Sequence, residues 1–227
     1  MTDRTAAERG VFLASLLVLL LPAGALAAGD RGFQIELSGV LSKPIGTYST
    51  GEKAGDLLDL GGRLSTKLMF GIGRGSYIGA WVAYLKNQKD FASTSILDTR
   101  PPIDIQGTRT LTSIPVEALF QIRNDTRHRV SGYVEGGAGI TTYTWRLSEL
   151  TQEITPDSSI TLAPDSDVQQ TFSFHFGAGA VLELNRDWEV VAGLAYHQSI
   201  VRGGEVWNTD DDPKYALLSL GVRYPRW

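Results

Sequence analysis

Residues 171–200 read TFSFHFGAGAVLELNRDWEVVAGLAYHQSI. In an extended chain Phe172, Phe174, Phe176, Ala178, Ala180 and Leu182 share one side, with His175 and Glu183 on the other. After Asn185-Arg186 the pattern resumes, with Trp188, Val190, Ala192, Leu194 and Tyr196 on one face and Glu189 and His197 opposite. Successive side chains of a strand point to opposite faces, so a period of two marks a strand. Two such runs with so short a gap between them read as an antiparallel hairpin.

The same alternation extends over the rest of the chain, and helical periodicity is absent. It predicts eight strands, over 31–42, 57–70, 76–88, 108–123, 128–146, 168–184, 187–202 and 214–224. One face of each is apolar: Phe33, Ile35, Leu37, Leu41 in the first, Ile114, Val116, Phe120, Ile122 in the fourth, Ala216, Leu218, Leu220, Val222 in the last. The third is less clear, because its second face is almost as apolar. Between its first and last apolar residue (78 to 84 in the third segment, 134 to 140 in the fifth, 216 to 224 in the eighth) no face carries a charge. The opposite faces hold Glu36, Arg63, Lys67, Glu117, Arg123, Glu135, His175, Glu183, Glu189, His197 and Arg223. A Lys or Arg turned to lipid at mid-bilayer costs about 2–4 kcal/mol, so a charge-free outer face is what a membrane demands of a barrel. The expected fold is all-β, an eight-stranded antiparallel up-and-down transmembrane β-barrel with its polar residues inside. The competing architecture is a soluble sandwich or lipocalin-like barrel, which would turn the apolar faces inward.

The connections separate the two. Those after the second, fourth and sixth segments are short (71–75, 124–127, 185–186); those after the others are long (43–56, 89–107, 147–167, 203–213). Membrane barrels sort their connections this way, with short periplasmic turns and longer extracellular loops. This predicts periplasmic termini. Phe33, Phe70, Trp188 and Tyr224 fall near the periplasmic ends and Tyr84 and Tyr196 near the outer ends, as interfacial girdles require.

The bulk composition is compatible. The chain has 227 residues, 42% of them hydrophobic, and a mean hydropathy of −0.07, so its apolar residues are dispersed. A net charge of −4 provides no basic surplus for nucleic acid. With no Cys there is neither a disulfide nor a lipidation site. Arg4 and Arg9 precede the apolar run Val11 to Leu21, followed by Pro22 and the small-residue stretch Ala25-Leu26-Ala27-Ala28. This is the three-part pattern of a secretory signal peptide, and its apolar core is too short to span ~30 Å of hydrocarbon as a helix. The expected organisation is a cleaved signal peptide over 1–28 and one barrel domain over 29–227.

The stretch Gly132-Tyr133-Val134-Glu135-Gly136-Gly137-Ala138-Gly139-Ile140 resembles the fifth-strand signature of the OmpA-like and Opa-like small outer-membrane barrels. Phe176-Gly177-Ala178-Gly179-Ala180, followed by Asn185-Arg186-Asp187-Trp188, is similar to the sixth strand and turn of that group. The chain finishes near Tyr224 and at Trp227, like family members whose terminal aromatic helps the assembly machinery recognise the last strand; Pro225 and Arg226 interrupt the usual alternation. The resemblance implies residence in a Gram-negative outer membrane, contact with lipid and lipopolysaccharide, and loops facing the exterior, where an extracellular ligand or host factor could bind. It implies no enzyme activity and no cofactor.

Eight strands enclose a bore that side chains can just fill, whereas aqueous porin channels need about 16–18 strands. Glu36, Arg63, Lys67, Glu117, Glu135 and Arg223 are therefore expected to form a paired interior plug, with a narrow channel for small solutes as the alternative. A second constellation hints at catalysis. His197 and Ser199 share a strand face, and Glu205 could orient the imidazole. The pair resembles the His-X-Ser motif of eight-stranded lipid A deacylases, in which an Asn follows the Ser where Ile200 stands here. The alternation turns both side chains inward, away from lipid. The acidic residues Glu149, Glu153, Asp157, Asp165, Asp167, Asp210, Asp211 and Asp212 lack the spacing of a calcium loop, and no metal site is expected.

Overall fold

The computed structural model describes residues 32–46, 58–73, 75–95, 103–124, 129–155, 158–161, 165–200 and 212–226. Residues 1–28, His128, Glu205, Asp210, Asp211 and Trp227 lie outside these ranges. The described chain is almost entirely strand: β1 (Phe33–Ile45), β2 (Gly61–Gly73), β3 (Ser76–Ser95), β4 (Ile103–Arg123), β5 (Val130–Thr155), β6 (Ser158–Thr161), β7 (Asp165–Glu183), β8 (Glu189–Ile200) and β9 (Lys214–Arg226). Each long strand pairs antiparallel with the next in sequence, and β9 returns to β1 from Phe33↔Arg226 to Ile45↔Lys214. Eight strands thus close a ring. The four-residue β6 lies outside it, paired only with the far end of β5. Closure gives every ring strand a partner on each side, which a bilayer requires of any sheet that crosses it.

The expected segments fall on the ring strands, but the strands run further than the alternation did. The connections expected over 89–107 and 147–167 are largely ladder: β3 continues to Ser95, β4 starts at Ile103, and β5 runs for 26 residues to Thr155 before β6 folds back on it. A membrane crossing needs only about 9–11 residues of strand. The apolar alternation stops where lipid stops, while backbone pairing continues past that level, so periodicity marks the membrane and not the strand end. At the other end the connections are short. Between β7 and β8 the chain turns over Leu184–Trp188, where Asn185 Oδ1 accepts hydrogen bonds from the backbone N–H groups of Asp187 and Trp188, both at 2.9 Å. The start of β1, Phe33, and the end of β9, Arg226, pair at this same end.

Burial is inverted relative to a water-soluble protein. Leu220 is 64% exposed and Phe176 63%, while Arg223 is 0% and Glu36 1% exposed. Leu37, Leu64, Phe120, Val134, Leu194 and Leu218 join the exposed apolar band. Monomeric soluble proteins rarely leave so continuous an apolar surface bare. At the short-turn end the girdle aromatics pack in pairs, Phe33 with Phe70 at 5.0 Å and Trp188 with Tyr224 at 5.5 Å between ring centroids.

Candidate functional site in the barrel interior

The inward side chains form three layers along the bore. Nearest the short-turn end is an ion-pair layer. Glu36 on β1 is the direct cross-strand neighbour of Lys67 on β2 and of Arg223 on β9, so the register itself sets a carboxylate between two cations. Arg223 donates to Glu36 Oε2 from Nη2 (2.7 Å) and Nε (3.2 Å). Lys67 Nζ lies 3.3 Å from Glu36 and reaches across the lumen to donate to both oxygens of Glu135 at 2.8 Å. Arg123 on β4 reaches across to Glu189 on β8 at 2.7 Å, and Arg223 approaches the same carboxylate at 3.8 Å. Gln121 adds a bond to Glu135 at 2.9 Å and Ser131 accepts one from Arg123 Nε at 2.7 Å.

The layer holds three carboxylates, Glu36, Glu135 and Glu189, against three cations, Lys67, Arg123 and Arg223. Taking a charge out of water costs several kcal/mol, so an interior of this kind is tolerable only when charges balance and remaining polar atoms are bonded. The Tyr133 ring lies beside both central cations, 5.5 Å from Lys67 Nζ and 5.7 Å from Arg223 Cζ. Two glycines make room for it: a Cβ at Gly179 would come within 2.6 Å of the ring, and one at Gly193 within 2.4 Å of its hydroxyl. These glycines of β7 and β8 thus have a steric reason inside the bore.

The middle layer is built on Glu117. Its Oε2 pairs with His175 Nδ1, and its Oε1 faces His197 Nε2 at 3.1 Å and accepts a bond from Ser173 Oγ at 2.7 Å. Thr141 donates to Ser173 at 2.8 Å. The His175 ring packs on Trp81 at 4.6 Å and fits only because residue 137 is Gly, where a Cβ would approach the ring within 2.5 Å. Above it, toward the long-connection end, Val40, Leu58, Trp81, Ala83, Leu85, Leu111, Tyr143, Tyr215 and Leu217 form an apolar and aromatic core. The second apolar face of β3 noted in the sequence is therefore the inner one, Trp81, Ala83 and Leu85.

Of the six residues expected in the plug, Glu36, Lys67, Glu135 and Arg223 come together. Glu117 is inside but one layer away, among the histidines. Arg63 does not join and is exposed. Gly62, immediately before it, adopts φ +150°, a backbone that side-chain-bearing residues rarely take. Arg63 turns outward with its Cζ 5.8 Å from the Tyr84 ring, while Leu58 joins Val40 in the interior core. Arg123 and Glu189, read as inward but not as plug members, are full participants. His197 and Ser199 do face inward and are buried, but they do not engage each other: His197 contacts Glu117 and Thr141, and Ser199 Oγ shares a 2.7 Å hydrogen bond with Tyr143 OH. Among the described residues no cluster of His, Cys, Asp and Glu is arranged to hold a metal.

Several solved outer-membrane proteins are similar to this chain at low identity. Neisserial surface protein A is 15% identical over 86% of this chain and 96% of its own, with a TM-score of 0.49. The attachment invasion locus protein of Yersinia pestis, solved with the heparin analogue sucrose octasulfate, is 16% identical over 86% and 97%, TM-score 0.43. Outer membrane protein W of E. coli is 15% identical over 87% and 98%, TM-score 0.41. No curated protein sequence matches the chain significantly. The model of the outer membrane protein β-barrel domain family matches residues 13–225. With a closed eight-stranded ring, an apolar outer wall and a charged interior, the chain belongs to the outer membrane protein β-barrel family.

Proposed function

We propose that the protein is a non-enzymatic barrel with a closed bore, exported by residues 1–28, with periplasmic termini, that serves envelope integrity or surface contact such as adhesion or host-factor binding. The observation that carries this reading is the stacking inside the bore: a charge-balanced ion layer, the Glu117 layer and an apolar core succeed one another along the axis. Such a filling leaves the parts beyond the membrane to meet partners. The long β3–β4–β5 ladder, which extends past the apolar band, supplies a platform for them. His197 and Ser199 act as interior filling, since the Ser199 hydroxyl is committed to Tyr143 and turned away from lipid.

The test is single-channel recording of the purified protein in planar bilayers, with lipid A mass spectrometry of the expressing cells. The expected result is no stable conductance and an unchanged acylation pattern. A large, stable open channel would overturn the closed bore. Deacylation that disappears in Ser199→Ala would overturn the non-enzymatic reading.

A further inference from the structure

The lipid-facing wall carries one marked indentation. Across β3, β4 and β5 the register sets Ala80 beside Ala118 and Ala118 beside Ala138, with Leu68 at one end of the row and Phe174 at the other. Gly136 is the next outward position on β5 and is paired with Phe176 on β7. Small residues on three neighbouring strands leave a groove of about 830 Å³, with Ile78 and Phe120 along one bank. Phe176, 63% exposed, stands at its β7 end. The groove follows the row of alanines and so runs across the strands. Strands of a membrane barrel tilt by about 35–45° from the axis, which inclines a groove perpendicular to them by about 45–55°. Acyl chains run on average along the bilayer normal, so they cross this groove and do not lie in it.

A second barrel meets the groove differently. Two copies inserted the same way and related by a two-fold axis along the normal face each other with their strands tilted in opposite senses. Facing strands then cross at twice the tilt, about 70–90°, so a strand of the partner runs along the groove. We propose that the groove seats the Phe176 ring of a second copy of this chain, while the partner's groove seats Phe176 of the first. Ring and groove lie on one patch, as a two-fold contact requires. Lipid tails are as apolar as the wall, so the pair is held by packing and not by escape from water. An aromatic ring in a groove of small residues supplies many such contacts. Ile78, Phe120, Ile140, Phe172 and Phe176 are each about half exposed. A large side chain in that state offers roughly 100 Å², so together with the groove floor about 700 Å² is covered on each copy. Specific protein pairs cover about 800 Å² per partner. Pairing here also sets two platforms side by side, because β3, β4 and β5 are the strands that extend past the apolar band. The result is a bivalent outer surface, suited to a partner with repeated epitopes. The proposal rests on the wall meeting lipid.

The test places a donor or an acceptor dye on Asp187→Cys, in the short turn between β7 and β8, and reconstitutes the barrel in dimyristoylphosphatidylcholine vesicles over a range of lipid-to-protein ratios. The expected result is energy transfer that follows a saturable two-body curve. Ala118→Phe, which fills the groove, and Phe176→Ala, which removes the ring, should each weaken pairing about tenfold or more. Both changes in one chain exchange ring and groove, and should recover most of the loss. Leu220→Ala on β9, on the opposite side of the ring, should pair like wild type. The proposal is overturned if wild type stays monomeric at every ratio, which means that acyl chains fill the groove. It is equally overturned if either groove variant pairs like wild type, if the double variant pairs no better than the singles, or if Leu220→Ala weakens pairing as much. Each protein is first checked for the heat-dependent gel shift of a folded barrel. A wild type that fails that check refutes the barrel reading itself; a folded barrel that does not pair refutes the dimer alone.

Discussion

Arg223→Met is expected to destabilise the folded barrel by about 3–5 kcal/mol, the usual cost of removing one partner from a buried ion pair. Arg223 is fully buried, holds Glu36 through two nitrogens and approaches Glu189 at 3.8 Å. Methionine fills similar space but leaves three carboxylates to two cations in a water-poor bore. The companion variant, Glu36→Leu with Arg223→Met, removes one charge of each sign and leaves Lys67 with Glu135 and Arg123 with Glu189. It should recover most of the loss, because balanced apolar replacement of a buried pair is often neutral or stabilising. Urea unfolding of the lipid-folded protein, followed by tryptophan fluorescence, reads both. A single variant as stable as wild type, or a double variant worse than the single, would contradict the charge-balanced interior.

Leu194→Arg should cost about 2–4 kcal/mol in the same assay, the price of a cation facing mid-bilayer. Leu194 lies midway along β8, 62% exposed, between Ala178 on β7 and Leu218 on β9. On a water-exposed surface the same change would fall within about 0.5 kcal/mol of neutral. The sign and size of this one substitution therefore distinguish a wall in lipid from a wall in solvent. An Arg variant as stable as wild type, and soluble without detergent, would favour solvent.

The strands were legible because two independent periodic signals coincide in them. Apolar residues recur at alternate positions from Phe33 to Tyr224, and the acids and bases fall between them. The sequence is silent where one signal lapses. Beyond Tyr84 on β3 and beyond Ile140 on β5 the outward residues become polar, so the ladder that continues to Ser95 and Thr155 left no alternation to read. The interior was legible in composition but not in pairing. Glu36, Lys67 and Arg223 meet because register sets them side by side, whereas Lys67–Glu135 and Arg123–Glu189 form across the lumen, between strands that are not neighbours. Nothing local announces a contact of that kind. Arg63 was misplaced because its side chain, next to the positive-φ Gly62, is exposed although Leu60 and Leu64 on either side keep the outward parity on which the reading depended. Gly137 and Gly179 were visible as a family-like pattern, yet their purpose, clearing space for His175 and Tyr133, appears only once strands face each other across the bore.

The most direct measurement is a spin-label accessibility scan along β8 in lipid bilayers. The chain has no native Cys, so a single Cys can be placed in turn at each position from Val190 to Gln198 except Gly193, where a side chain would meet Tyr133, and labelled without background. The labels at 190, 192, 194 and 196 should be accessible to oxygen dissolved in the bilayer and shielded from a water-soluble nickel chelate. Those at 191, 195 and 197 should be shielded from both. Loss of that two-residue alternation, or nickel accessibility at 192 and 194, would contradict a barrel whose apolar side chains meet acyl chains while its charges are enclosed.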